Sequence, residues 1–442
     1  MLSTRLKTRL MILLAVGIPS AMLTNCAERE GPLFPDGTNT TTPEIQTTSF
    51  DILRRNDFGD PTARFIYTAY ATPLPTNLPQ QPFPVLYLLH DFLEPGVPGG
   101  ADYFERYNLQ EILDDLYRNN EIGRMMVVTV DASNNLGGSY YRDASTLGRY
   151  EALLSELIAH MERTTRVYTG GGRRARAISG HGMGGYGAMY YAMQHPEMFG
   201  AVSSMSGPLS FGDVDSDFGI LSDGGLLDQV FAENGIIVPD PGGDVYNLIE
   251  AGLTRPATRL YAAMAAAFSP HPLRTFDSVG TLIVQLPFVV RKDTIYPWDF
   301  FSPRAAGSYT LELTDRGADT LGVGLNMLFD QQGVLVDSIW ALWRDSSDIK
   351  NIFLQKRGAD PMFMEDMSIY IDCGVEDELG YLGMNQDFHQ TLMEAGVAHE
   401  FIEYEGFGRV VAGHSQLIAD RLRTIIKFHD QSFTRPPTPP QP

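Results

Sequence analysis

Short apolar runs alternate with longer stretches of helical period along most of the chain. Residues 64–71, 84–90, 125–131, 175–180, 201–206, 368–373 and 399–404 read as strands, several of them near-continuous apolar runs. Such runs suit strands that are covered on both faces. Residues 105–118, 148–166, 183–195, 384–395 and 416–429 carry helical spacing, and in 148–166 Leu153, Leu154, Leu157 and Ile158 share one face. This alternation predicts an α/β fold, a mostly parallel, doubly wound sheet with helices on both faces. It stops between about 210 and 365. That stretch holds Gly-Gly pairs, the aromatic run Tyr296-Pro297-Trp298-Asp299-Phe300-Phe301 and helical patterns near 256–268 and 336–355. It is too long for a loop and is expected to be a cap insertion over the carboxyl edge of the sheet. An independent domain is the alternative.

The two ends lie outside this pattern. Arg5, Lys7 and Arg9 precede the apolar stretch from Met11 to Leu23, which is too short for a comfortable membrane span. A basic start followed by a short apolar core has the form of an export signal. Leu23-Thr24-Asn25-Cys26 resembles a lipobox, in which Cys26 is lipidated and becomes the mature N-terminus; Asn25 departs from the small residue usual before the cysteine. The expected organisation is a signal segment over 1–26, a flexible tether over 27–47, a folded domain over 48–432 and a proline-rich tail over 433–442. The expected location is exported and membrane-anchored through lipid on Cys26, or otherwise secreted.

Charge and cysteine content narrow the partners. The formal net charge of −21 repels phosphate backbones, so nucleic acid is not an expected partner. Apart from Cys26 the chain has one further cysteine, Cys373, so no internal disulfide is expected in the mature domain. Cys373 follows an apolar strand pattern and reads as a packed thiol. Asp372 and Glu376 lack histidine or cysteine partners at ligand spacing. No metal and no cofactor are expected.

The chemistry concentrates in Ser179-Gly180-His181-Gly182-Met183-Gly184-Gly185. A strand ends, a glycine-rich turn follows and a helix begins, which is the setting of the G-x-S-x-G nucleophile elbow. The string resembles the elbow G-H-S-M-G-G of the bacterial putative-esterase (esterase D-like) family of the α/β-hydrolase superfamily. Pro84-Val85-Leu86-Tyr87-Leu88-Leu89-His90, His195-Pro196-Glu197-Met198-Phe199-Gly200, Met205-Ser206-Gly207, Met264-Ala265-Ala266-Ala267-Phe268-Ser269-Pro270, Ile371-Asp372-Cys373-Gly374-Val375-Glu376-Asp377 and Gly413-His414-Ser415 resemble further family segments.

The resemblance implies an α/β-hydrolase with a large cap and an ancestral hydrolysis of carboxylic esters, with a small acyl or ester compound as ligand. It implies Asp377 as the catalytic acid and His414 as the base. It places the oxyanion hole at the amide of Met183 and an amide just after His90, at Asp91 or Phe92. Gly182 occupies the nucleophile position and carries no side chain, so the standard serine mechanism is not available. Asp91 stands where the family has glycine, and an inward-pointing carboxylate there would oppose an oxyanion. Ser179 and Ser415 are badly placed to substitute, and His181 and His195 read as packing residues. The expected protein is a catalytically impaired esterase. The alternatives are a hydrolase in which His414 and Asp377 activate water, and an active serine esterase with a variant at position 182.

Overall fold

A computed structural model describes residues 64–72, 82–92, 103–132, 137–144, 148–238, 255–271, 327–330, 332–406 and 410–435, with the backbone of short strands at 45–51, 275–276, 282–283 and 324–325. The signal and lipobox segment, the aromatic run at 296–301 and the end of the proline-rich tail lie outside the described residues.

Strands β1 (Ile45–Asp51), β2 (Arg64–Ala71), β3 (Val85–Leu89), β4 (Met126–Val130), β5 (Arg176–His181), β6 (Ala201–Met205), β7 (Ser368–Gly374) and β8 (Glu400–Tyr404) form one sheet. Its order is β1-β2-β4-β3-β5-β6-β7-β8. Strand β2 runs antiparallel to β1 and β4, and the remaining neighbours are parallel. The mostly parallel sheet agrees with the alternation in the sequence. Strand β1 was not foreseen and begins at Ile45, inside the stretch expected to be tether. Its pairing with β2, from Ile45 opposite Tyr70 to Asp51 opposite Arg64, is a backbone ladder, and apolar period gives no sign of it.

The pleat sends alternate residues of β3 into two separate cores. Val85, Tyr87 and Leu89 join the larger cluster, whereas Leu86 and Leu88 join the smaller one. The smaller core is closed by α1 (Leu109–Arg118), through Leu109, Ile112, Leu113 and Leu116, and by α9 (Ile418–Ser432), through Leu422, Ile425 and Ile426. The larger is closed by α2 (Tyr150–Thr164) and α3 (Met183–Gln194). Residues Met183 to Met193 of α3 are all buried, as befits a helix enclosed on every side.

The described parts of the 210–365 stretch belong to that larger core. Helix α4 spans Leu226–Asn234 and α5 spans Pro256–Phe268. Phe268 of α5 sits 5.0 Å from the ring of Tyr140 and 5.3 Å from those of Tyr186 and Trp343. The helical pattern at 336–355 resolves into two helices, α6 (Asp337–Ser346) and α7 (Ile349–Ala359). Asp348 breaks it, because its side chain caps α7 at the Asn351 amide and also accepts from the Phe211 amide at 3.0 Å. Helices α8 (Tyr381–Glu394) and α9 each follow a parallel strand.

Buried histidines make the fold acid-sensitive, His429 among them. His429 of α9 is fully buried; its Nε2 donates to Ser203 Oγ at 2.8 Å, which donates to Ser179 Oγ at 2.6 Å. Burial pushes its pKa down to about 3. A base held below its ordinary value of about 6.5 leaves stability intact above that pH and withdraws it as pH falls towards the folded value, by up to about 1.4 kcal/mol per pH unit. Denaturant unfolding between pH 7 and 4 should show that slope, and His429→Leu should reduce it, leaving the share of His181, which burial also pushes down to about 3. An unchanged slope in the variant would assign the sensitivity elsewhere.

Candidate active site

Strand β5 ends at His181 and α3 begins at Met183, so the whole direction change falls on Gly182, at φ 52° and ψ −115°. This left-handed geometry is strained for residues with a Cβ. Its amide donates to Met205 O at 2.8 Å and its carbonyl accepts from Tyr186 N at 3.0 Å. The helix meets the strands closely: a Cβ on Gly184 would lie 2.1 Å from Leu89 O.

The loop after β3 is held equally firmly. Ala132 N–H donates to His90 Nε2 at 2.9 Å, so the ring's proton is on Nδ1, which donates to Asp91 O at 2.6 Å. Tyr103 OH donates to Leu89 O at 2.9 Å, and Tyr141 OH to His90 O at 3.1 Å. These contacts aim the Asp91 side chain at the elbow. Phe92 lies beside it under the Arg259 guanidinium, 5.2 Å from ring centre to Cζ.

Asp91 and Gly182 occupy one another's space. A Cβ built on Gly182 would fall 1.9 Å from Asp91 Oδ1 and 2.3 Å from Asp91 Cγ. That Oδ1 accepts from the Met183 amide at 2.8 Å, and Oδ2 lies 3.0 Å from His414 Nε2 and 3.5 Å from His181 Nδ1. The amide expected to hold an oxyanion is therefore engaged by a carboxylate of the chain itself.

His414 and Asp377 meet as the resemblance implied. His414 Nδ1 donates to Asp377 Oδ2 at 2.9 Å, and Asp377 Oδ1 accepts from the Leu379 amide at 3.0 Å. Glu378 accepts from the His414 amide at 2.8 Å. The His414 carbonyl accepts from Arg421 Nη1 at 3.2 Å, and Arg421 is itself paired with Asp372, both fully buried. Tyr381 stands edge-on to the His414 ring at 5.4 Å. Cys373 is buried with its sulfur 3.6 Å from Asp377 Oδ2, and burial raises its pKa well above the thiol range.

The charges follow from this enclosure. Burial alone would lower His414; Asp91 and Asp377 outweigh it and push the imidazole up to about 10. Burial alone would raise Asp91; the two imidazoles and the Met183 amide hold it well below the ordinary carboxylate range. Asp377 is lowered against its burial by the hydrogen bond and charge of His414 and by the Leu379 and Tyr381 amides. His181 goes the other way: burial pushes it down to about 3 despite Asp91. The two carboxylates thus favour the charged form of His414, and burial favours the neutral form of His181.

Two features escaped the sequence reading. His181, read as packing, faces Asp91 and lies 4.7 Å from the His414 ring centre; its place immediately before the elbow residue was the available signal. Arg421 and Glu378, which hold the backbone of His414, come from a helix period and a polar loop that show no chemistry in sequence. Ser179 and Ser415 do not enter the site: Ser179 is buried under Ser203, and Ser415 is exposed.

The family model described as "Putative esterase" matches residues 68–421. The chain belongs to this esterase family. Two esterases of Mycobacterium tuberculosis, Esterase MT1326 and Esterase Rv1288, are each 27% identical over 213 residues, 45% of this chain and 42% of theirs. The chain thus matches about two fifths of the length of these curated relatives. Among solved structures, a ferulic acid esterase is similar with a TM-score of 0.48 at 17% identity, over 89% of this chain and 100% of that one. An S-formylglutathione hydrolase from Agrobacterium tumefaciens is similar with a TM-score of 0.46 at 14% identity, over 89% and 97%. The chain has the α/β-hydrolase fold, a mostly parallel sheet flanked by helices.

Proposed function

We propose that this chain is an exported esterase-family protein in which ester hydrolysis through a nucleophile at position 182 has been lost and the vacated space filled by Asp91. The observation that carries this reading is the 1.9 Å approach of Asp91 Oδ1 to the point where a Cβ on residue 182 would stand. A serine there cannot coexist with Asp91 in its present position, so one altered residue in an otherwise intact enzyme does not account for the site. Water activation by His414 is also opposed, because Nε2 is directed to Asp91 at 3.0 Å and has no lone pair free for a proton from water. What remains is the family scaffold, with an ester or acyl compound as the ligand class.

The test is turnover. Purified protein with short-chain 4-nitrophenyl esters should show no burst and no saturable hydrolysis above background. Saturable hydrolysis that His414→Ala abolishes would overturn the reading.

The export part rests on the basic start, the short apolar stretch and Cys26. Among the described residues no helix is long and apolar enough to cross a membrane, so attachment is proposed through lipid on Cys26. One acyl chain anchors only marginally, and stable attachment takes more than one. Cys26→Ala should abolish incorporation of radiolabelled lipid and move the protein out of the membrane fraction. Wild-type protein that is soluble and begins at another residue would mark it as secreted.

A further inference from the structure

Asp91, His181 and His414 place three donor atoms within 4.8 Å of one another. They come from the loop after β3, the last residue of β5 and the segment between β8 and α9. We propose that this cluster binds a divalent transition-metal ion of the zinc class, through Asp91 Oδ2, His181 Nδ1 and His414 Nε2, with the remaining coordination left to water or a ligand. The inference goes beyond the proposed function. It uses the placement of Asp91 and does not depend on whether esters are hydrolysed.

Hydrogen bonds decide which ring nitrogens are available. The His414 carbonyl can only accept, so His181 Nε2, 2.8 Å away, carries a proton. Its other ring nitrogen, Nδ1, faces Asp91 Oδ2 at 3.5 Å and, in the tautomer protonated on Nε2, offers a lone pair to a metal ion. The space between them is nearly dry, the His181 side chain being 3% exposed and that of Asp91 17%. On the other side, His414 Nδ1 donates to Asp377, and Nε2 points at the same Asp91 Oδ2 from 3.0 Å. One metal ion would meet both approaches to Asp91 Oδ2, with the proton on His414 Nε2 released to solvent as the metal binds.

The surroundings match those of a metal centre. Ligating histidines usually donate their outer N–H to a carboxylate or a backbone carbonyl, which fixes the tautomer and the ring. His414 does so to Asp377 and His181 to the His414 carbonyl. The Met183 amide on Oδ1 orients the carboxylate in the same manner. Zinc bonds of about 2.0–2.1 Å at tetrahedral angles set donors roughly 3.3–3.4 Å apart. The approaches to Asp91 Oδ2, 3.0 and 3.5 Å, bracket that spacing. Two imidazoles and one carboxylate suit zinc and its neighbours, whereas calcium and magnesium call for oxygen donors. Gly182 helps by projecting nothing into the space.

The test uses the full mature protein without a histidine tag, stripped with chelator and titrated with Co²⁺ as a coloured substitute for zinc. One equivalent should bind with the visible absorption of a low-coordinate site and be displaced by Zn²⁺. Asp91→Asn and His181→Gln should each abolish that band. Asp377→Asn, at a side chain that meets His414 at its outer nitrogen and not at Nε2, should weaken binding by about 10–100-fold. The surface pair His389 and His399, with ring nitrogens 2.7 Å apart, is the competing site, and His389→Ala should leave the spectrum unchanged. The absence of a band, a band that survives Asp91→Asn, or one lost with His389→Ala would each overturn the proposal. Should the Asp91 variant fail to fold, X-ray absorption of the zinc-loaded His389→Ala protein, which lacks the competing pair, decides instead. Two imidazole nitrogens around the metal support the site, and fewer contradict it. Ester turnover enters none of these readouts, so this proposal and the proposed function fail separately.

Discussion

Gly182→Ser alone is expected to leave the protein as inactive towards esters as its parent, whereas Gly182→Ser combined with Asp91→Gly is expected to gain activity. In the single variant the serine Cβ would stand 1.9 Å from Asp91 Oδ1. Either the carboxylate or the serine must be displaced, and while the carboxylate stays it occupies both the Met183 amide and His414 Nε2. Removing the carboxylate frees both at once. His414 then loses the contact that holds it protonated and can act as a base, still oriented by Asp377. Triad members act as a unit, and losing one costs up to about 10⁶-fold; an unoptimised restoration should recover at least about 10³-fold in kcat/KM. The serine must also accept φ 52°, so the double variant should be less stable by roughly 1–3 kcal/mol. A single Gly182→Ser as active as the double would show that Asp91 does not obstruct the site.

The second large effect concerns Arg421. Its guanidinium is fully buried, donates to Asp372 Oδ1 from Nε at 2.9 Å and to Ser206 Oγ at 2.8 Å, and reaches the His414 carbonyl. Replacing such a pair by apolar groups can be neutral, but removing one partner strands the other, at about 3–5 kcal/mol. Arg421→Leu should therefore lower the unfolding free energy by that amount in denaturant titration. Arg421→Leu with Asp372→Leu should recover a large part of it. Burial raises the Asp372 carboxyl even against Arg421, so the deficit of the single variant should shrink at acid pH, where the carboxyl takes up its proton. Equal losses in the single and double variants would show that the pair contributes through packing alone.

The β5 elbow and the strands around it were legible because their signals are local. A buried parallel strand is an apolar run, and the elbow compresses strand, turn and helix into a few residues around Gly182. The acid and histidine were legible only through family resemblance, since Asp377 and His414 have no mutual signal in one sequence. Position 91 was legible as an oddity and position 182 as another. Their connection was not, because it is a collision in space between residues far apart in the chain. The same limit hid the metal-ligand geometry: residues 91, 181 and 414 have no spacing to recognise, and His181 looked like part of the elbow's packing. Strand β1 and the break at Asp348 were missed because a ladder and a cap leave no apolar period.

Covalent labelling tests most directly whether Asp91 stands in the nucleophile's place. Four proteins are to be treated with a fluorophosphonate and weighed intact: wild type, Gly182→Ser, Asp91→Gly and the double variant. Only the double variant should gain the mass of one adduct, mapped to residue 182, with the other three unmodified. An adduct on wild type, or equal labelling of Gly182→Ser with and without Asp91, would contradict the account.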